Sequence, residues 1–178
     1  MTMKDRISSA AGFTLIELLI TVGLIGVVSA IAVPSLLQAR AAANESSAIG
    51  SLRTIISAQT SYASAAGKGG YAAQLATLAL PCPNSTGVFL PADLGNDPSQ
   101  KSGYTITMSF AASSTPGEPD CNGTVTGSAY YATAVPISTR VTGNRSFATA
   151  GLSTIFYSRD ATPPTEAQIS GGAALPIQ

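Results

Sequence analysis

Histidine is absent from the 178 residues. That removes the commonest general base, every triad of the Ser-His-Asp type and all His-ligated metal sites. Charge is scarce as well. Asp, Glu, Lys and Arg make up 10% of the chain, against about 25% in an average soluble protein. Nine basic residues balance nine acidic ones, so net charge offers no general attraction for a polyanion, and no specific nucleic acid partner is predicted. Two cysteines can close one disulfide but cannot build a four-thiolate zinc site. These shortages point away from an enzyme, and no cofactor and no metal is expected. The chain is instead rich in apolar residues, at 45%.

The apolar residues are unevenly placed. Residues 1–12 are short and polar, with Lys4 and Arg6. From Phe13 the chain reads Phe13-Thr14-Leu15-Ile16-Glu17-Leu18-Leu19-Ile20 and continues apolar through Leu36-Leu37. The 22 residues between Glu17 and Arg40 carry no charge. As a helix they span about 33 Å, enough for a bilayer core of about 30 Å. Lys4 and Arg6 precede the span and favour the cytoplasm, which places the C-terminal part outside. A secretory signal peptide has an apolar core of only about 7–15 residues followed by its cleavage site, and this run is longer. A plain single-span anchor fits the length but leaves Glu17 unexplained. A carboxylate at membrane depth costs about 2.5–3.5 kcal/mol and calls for a partner.

The segment Gly12-Phe13-Thr14-Leu15-Ile16-Glu17-Leu18-Leu19 resembles the processing motif of type IV prepilins and type II secretion pseudopilins. The resemblance implies that a membrane peptidase, the prepilin peptidase, cuts after Gly12 and that Phe13 becomes an N-methylated N-terminus. It makes Glu17 the assembly glutamate, and matches Gly26 and Pro34 to positions where the helix kinks or melts. The runs Lys101-Ser102-Gly103-Tyr104-Thr105 and Thr142-Gly143-Asn144-Arg145-Ser146-Phe147 are similar to parts of bacterial type IV pilin heads.

Physical reasoning runs the same way. Cleavage exposes an ammonium at Phe13, one turn from Glu17. In an assembled bundle a neighbour's ammonium can approach that carboxylate. Desolvation offsets much of the Coulombic gain, so the pair acts as a registry device more than a source of stability. Gly26-x-x-x-Ala30 also fits close helix packing of the small-xxx-small type.

Past Pro34 the helical pattern continues. Ile49, Leu52, Ile55, Ile56 and Tyr62 recur at three- and four-residue spacing, with Arg53, Ser57 and Gln59 between them, an amphipathic face suited to covering a sheet. Gly67-Lys68-Gly69-Gly70 ends it. The spacing predicts one helix over 13–66, about 80 Å long at ~1.5 Å per residue. Beyond it, Tyr71–Leu78 reads as a loop with a short helical turn. Strands are expected at Tyr104–Phe110, Tyr130–Val135, Ser146–Thr149 and Thr154–Tyr157, with Pro136 halting the second. The fold class is therefore α+β: one long N-terminal helix on an antiparallel meander of about four strands. The tail after Asp160 reads as loop.

Four segments follow: a cleaved leader (1–12), a transmembrane or filament-core helix (13–37), its amphipathic half (38–66) and a head (67–178). Removing the leader leaves seven basic and eight acidic residues. Cys82 and Cys121 lie in the exported part, where disulfides persist. A bridge between them closes a loop of about 40 residues, which the chain-entropy model values at roughly 4 kcal/mol. Asp93, Asn96 and Asp97 lack calcium-loop spacing and read as a turn. The Asn-x-Ser/Thr matches at Asn84, Asn122 and Asn144 carry no weight. Arg140, Arg145 and Arg159 read as scattered surface or intersubunit charges.

The expected function is a structural subunit of an extracytoplasmic type IV pilus. Its partners would be the peptidase, the inner membrane, the pilus or secretion machinery and related pilin subunits. Adhesion, motility and DNA uptake are all open roles. A type II secretion pseudopilin and an uncleaved membrane-anchored binding module are the alternatives.

Overall fold

A computed structural model describes residues 12–83, 85–151 and 153–177. The leader positions up to 11, including Lys4 and Arg6, lie outside the described residues, as does the Asn84 acceptor match. The chain divides into two units between Gln38 and Ala39. Helix α1 (Leu15–Ala65) runs through this division without interruption at Gly23, Gly26 or Pro34.

Residues 12–38 bury nothing. From Phe13 to Leu37, 15 large apolar side chains are exposed, Leu15 at 82% and Ile31 at 73%. This helix is apolar on all sides, a pattern that belongs in lipid or inside an assembly.

The second unit is α+β. The last residues of α1 lie against an antiparallel sheet and bury Ala48, Leu52, Ile55, Ala58, Gln59 and Tyr62. The periodic face is as expected except at Gln59, which belongs to the core and not to the polar side. Its amide is fully buried: Nε2 donates to the Ala72 carbonyl at 2.7 Å and Oε1 accepts from the Ala72 N–H at 2.9 Å. The side chain thus pairs with backbone that would otherwise lose its hydrogen bonds on burial.

The helix stops where the glycines begin. The N–H groups of Ala66 and Gly67 both reach the Tyr62 carbonyl, and Lys68 and Gly69 take positive φ values of 50° and 92°. A side chain at Gly67 would run into the Gly70 carbonyl, so only glycine permits this turn.

After α2 (Leu75–Leu78) and a single 3₁₀ turn at Ala92–Leu94 come the strands β1 (Ser99–Lys101), β2 (Tyr104–Phe110), β3 (Pro116–Pro119), β4 (Val125–Gly127), β5 (Tyr130–Pro136), β6 (Ser146–Ala150) and β7 (Phe156–Ser158). Helix α3 (Glu166–Ser170) and strand β8 (Leu175–Pro176) follow. The main sheet has six strands in the order β1-β2-β5-β6-β7-β8, all neighbours antiparallel, and β3-β4 form a separate ribbon. Alternation places Tyr104, Ile106 and Met108 of β2 in the core, level with Pro136, Ala134 and Ala132 of β5. Alanines at the centre of β5 leave room for the helix face.

Two expectations are corrected here. The sheet has six strands, not about four, because β1 and β8 are three- and two-residue edges too short to show a period. The tail after Asp160 is also ordered. Thr165 and Gln168 form a capping box that starts α3. The tail is held down by Ser146 Oγ on the Asp160 carbonyl, Tyr131 Oη on the Pro164 carbonyl and the Ala112 N–H on Glu166.

The disulfide Cys82–Cys121 spans a Cα–Cα distance of 5.6 Å and a sequence separation of 39. Next to it, Tyr62 donates to Asp120 Oδ2 at 2.8 Å, while Asp120 Oδ1 accepts from the N–H groups of Asn122 and Thr124. The carboxylate fastens the β3–β4 ribbon to the end of α1, and the bridge ties it to the segment that follows α2. Asp97 accepts from the Leu75 N–H at 3.1 Å, and Asp93 pairs with Lys101 at 2.6 Å, so both acids of this turn serve local structure.

Two outcomes follow from this packing. Replacing Cys82 and Cys121 by serine should lower the urea midpoint of the head in the full chain in detergent. The loss is up to about 4 kcal/mol for a loop of this length; an unchanged midpoint would count against the bridge. The second concerns alkaline pH. Burial pushes the phenols of Tyr62, Tyr104 and Tyr130 upward, the last to about 12, aided by the Asp120 carboxylate at Tyr62 and the Glu45 carboxylate at Tyr104. The unfolded chain then releases phenol protons near pH ~10 while the folded chain retains them. Stability present below that pH is therefore lost as pH rises toward the folded values. Phenolate absorbance of these residues should emerge together with loss of sheet circular dichroism, and not before it.

Candidate functional site

The candidate site is the start of α1. Gly12 and Phe13 lie just before the first helical turn in non-helical backbone, and both are exposed. Thr14 Oγ1 accepts from the Glu17 N–H at 3.3 Å. In return, the Glu17 carboxylate oxygen Oε2 accepts from the Thr14 N–H at 3.0 Å and from its hydroxyl at 2.6 Å. This is a reciprocal capping box, which satisfies amides that have no partner within the helix. It also explains why α1 starts at Leu15 and not at Phe13. The second carboxylate oxygen, Oε1, has no hydrogen-bond partner among the described residues.

Chemically, the arrangement presents an anion on the positive end of a helix. It is one turn from Phe13, at the tip of a segment whose apolar side chains are uncovered. Gly26 and Pro34 lie further along the same helix, and among the described residues nothing beyond the helix's own adjacent backbone comes within 4 Å of where a Gly26 side chain would sit. Cys82 and Cys121 belong to the head and are not brought to this site. Among the described residues no cluster of His, Cys, Asp or Glu could hold a metal ion.

Residues 7–33 match the family described as the prokaryotic N-terminal methylation motif. The chain carries the signature of type IV pilins and pseudopilins. No curated protein and no solved structure matches it. The pilin signature, together with the α+β architecture, supports a pilin-like protein and points to a structural one. The motif implies processing by a prepilin peptidase and assembly among pilins, and with the apolar helix it fits membrane anchoring before assembly.

Two polar contacts of this pilin-like chain escape sequence reasoning to different degrees. Thr14 was legible, because Thr14-Leu15-Ile16-Glu17 spells the Thr-x-x-Glu spacing of a capping box. The second contact was not. Glu45, 8% exposed at its side chain, accepts from the N–H groups of Asn144 and Arg145 and from Arg145 Nε at 2.7 Å. Arg145, expected as a scattered surface or intersubunit charge, is the partner of this buried acid within the chain. Its guanidinium also lies 5.6 Å over Phe147 and 5.5 Å over Tyr157. A hundred residues separate the two charges, and no local spacing reports such a pair.

Thr14→Val should unfasten the helix start. Losing a cap of this kind costs about 1 kcal/mol, so exchange of the Glu17 amide in detergent micelles should accelerate about fivefold. Unchanged exchange would remove the capping role.

Proposed function

We propose that this chain is the structural subunit of an extracytoplasmic type IV pilus. It is made as a prepilin, cut between Gly12 and Phe13, N-methylated on Phe13, stored in the inner membrane and polymerised through its N-terminal helix. The observation that carries the reading is the uncovered apolar surface of residues 13–37 together with the anchored carboxylate at its tip. Burying 15 large apolar side chains at about 1.5–3 kcal/mol each amounts to tens of kcal/mol. Lipid can supply that cover, and so can the same helix of neighbouring subunits.

Glu17 sets the register. Its Oε2 is held by Thr14, and Oε1 is left to accept from the Phe13 ammonium of an adjacent subunit. A neighbour docked out of register would leave that charge buried without a partner, which is strongly unfavourable. Gly26 and Pro34 are the points where the helix yields during packing, since one lacks a side chain and the other lacks an N–H. The Cys82–Cys121 bridge keeps the head folded outside the cell.

Glu17→Val should leave membrane insertion and leader removal intact and abolish or strongly reduce filaments. Intact mass gives the processing readout: loss of residues 1–12 and gain of one methyl group. Electron microscopy of expressing cells gives the assembly readout. Normal fibres from the variant, or native chains that keep the leader, would overturn the proposal. Filaments confined to the periplasm would assign the chain to a secretion pseudopilus.

A further inference from the structure

The head carries a second apolar and basic surface. The loop joining β5 to β6, residues 137–145, exposes Ile137 at 52% and Val141 at 62%, with Arg140 exposed between them. The loop is firmly held. Ile137 N–H donates to the Gly103 carbonyl, Arg140 N–H to Gly143 and Thr142 N–H to Ser138, each at 2.9 Å. A side chain at Gly143 would collide with the Tyr104 hydroxyl, so the loop lies directly on the sheet's buried phenol. Arg140 itself takes φ 68°, a conformation that a non-glycine residue adopts only when its surroundings enforce it. The two aliphatic side chains are thus presented outward by a fixed frame.

The frame is fastened to the part of α1 that follows the apolar unit. Asn44 Nδ2 donates to the Thr142 carbonyl at 2.9 Å, and Glu45 binds the backbone of Asn144 and Arg145. Asn44 lies only six positions past Gln38, where the apolar unit ends. Six residues reach at most about 20 Å when fully extended, so the loop is tethered close to the point where the chain leaves the apolar segment. Arg40, also exposed, lies one turn before Asn44 on the same helix face. Of the other charges here, Glu45 is matched by Arg145 and Lys101 by Asp93. Arg40 and Arg140 have no acidic partner among the described residues.

We propose that this loop is a membrane-contact surface of the unassembled subunit. Ile137 and Val141 enter the headgroup layer of an anionic bilayer, and Arg140 and Arg40 meet lipid phosphates. The inference rests on the reading of residues 15–37 as membrane-embedded before assembly. Small apolar groups flanked by cations are suited to that layer, and each basic residue near an anionic surface strengthens attachment about fivefold. The contact holds the head down on the membrane until a filament takes up the helix.

The chain has no tryptophan, so one introduced tryptophan is a unique reporter. The full chain is reconstituted as single copies in nanodiscs containing phosphatidylglycerol and brominated phosphatidylcholine. Val141→Trp reads the loop, and Leu24→Trp reads the apolar helix. Val125→Trp reads the β3–β4 ribbon, which is fastened at Tyr62, about 25 Å along the helix from Glu45. The expected result is strong quenching at Leu24→Trp, clear quenching at Val141→Trp and little at Val125→Trp. Adding Arg140→Gln to Val141→Trp should weaken the lipid contact about fivefold, as should replacing the anionic lipid. If Leu24→Trp is quenched but Val141→Trp is no more quenched than Val125→Trp, the loop contact is overturned and the membrane reading stands. If Leu24→Trp is not quenched, both fall. If Val141→Trp is shielded only in assembled filaments, the surface belongs to a neighbouring subunit and the lipid assignment is overturned.

Discussion

Fifteen large apolar side chains between Phe13 and Leu37 are left uncovered by the described residues, and that exposure is the constraint the chain has to satisfy. No soluble monomer tolerates such a surface in water, so the segment must always have a second medium, either lipid or other helices. The two media are chemically alike, which lets one helix pass between them without refolding. What distinguishes them is polarity at a single place. Lipid tails offer no cation to Glu17, whereas in the proposed pilus a packed neighbour with a free N-terminus would.

The capping box refines this picture. A carboxylate in an apolar segment is normally a liability, but here three hydrogen bonds with Thr14 take up one oxygen and the first amides of α1. The acid is thereby tolerable in the lone chain while its second oxygen stays open. In the proposed pilus one pair of residues would serve storage and assembly at once, because a carboxylate has more acceptor positions than the helix start can fill.

The head solves a different problem. Its helix face is short of large side chains, with Ala48 and Ala58 among Leu52, Ile55 and Tyr62. Polar side chains buried in the same face supply specificity: Gln59 reads the backbone of Ala72, and Glu45 reads Asn144 and Arg145. A buried acid stripped of its partner is costly, so Glu45 makes the seating of the β5–β6 loop close to all-or-none.

Much was written locally. The apolar run, the register of Gly12, Phe13 and Glu17, the periodic face from Ile49 to Tyr62 and the alternation of Tyr104–Phe110 all depend on neighbours a few residues apart, so the helix, the central strand and the α+β class follow from the sequence by itself. The tertiary structure alone decided what depends on residues far apart: the seat of Gln59, the Glu45–Arg145 pair, the brief edge strand β8, and the tail laid across the sheet. Those contacts link positions from 13 to 100 residues apart, and their partners are chosen by how the sheet wraps the helix, which no spacing along the chain encodes.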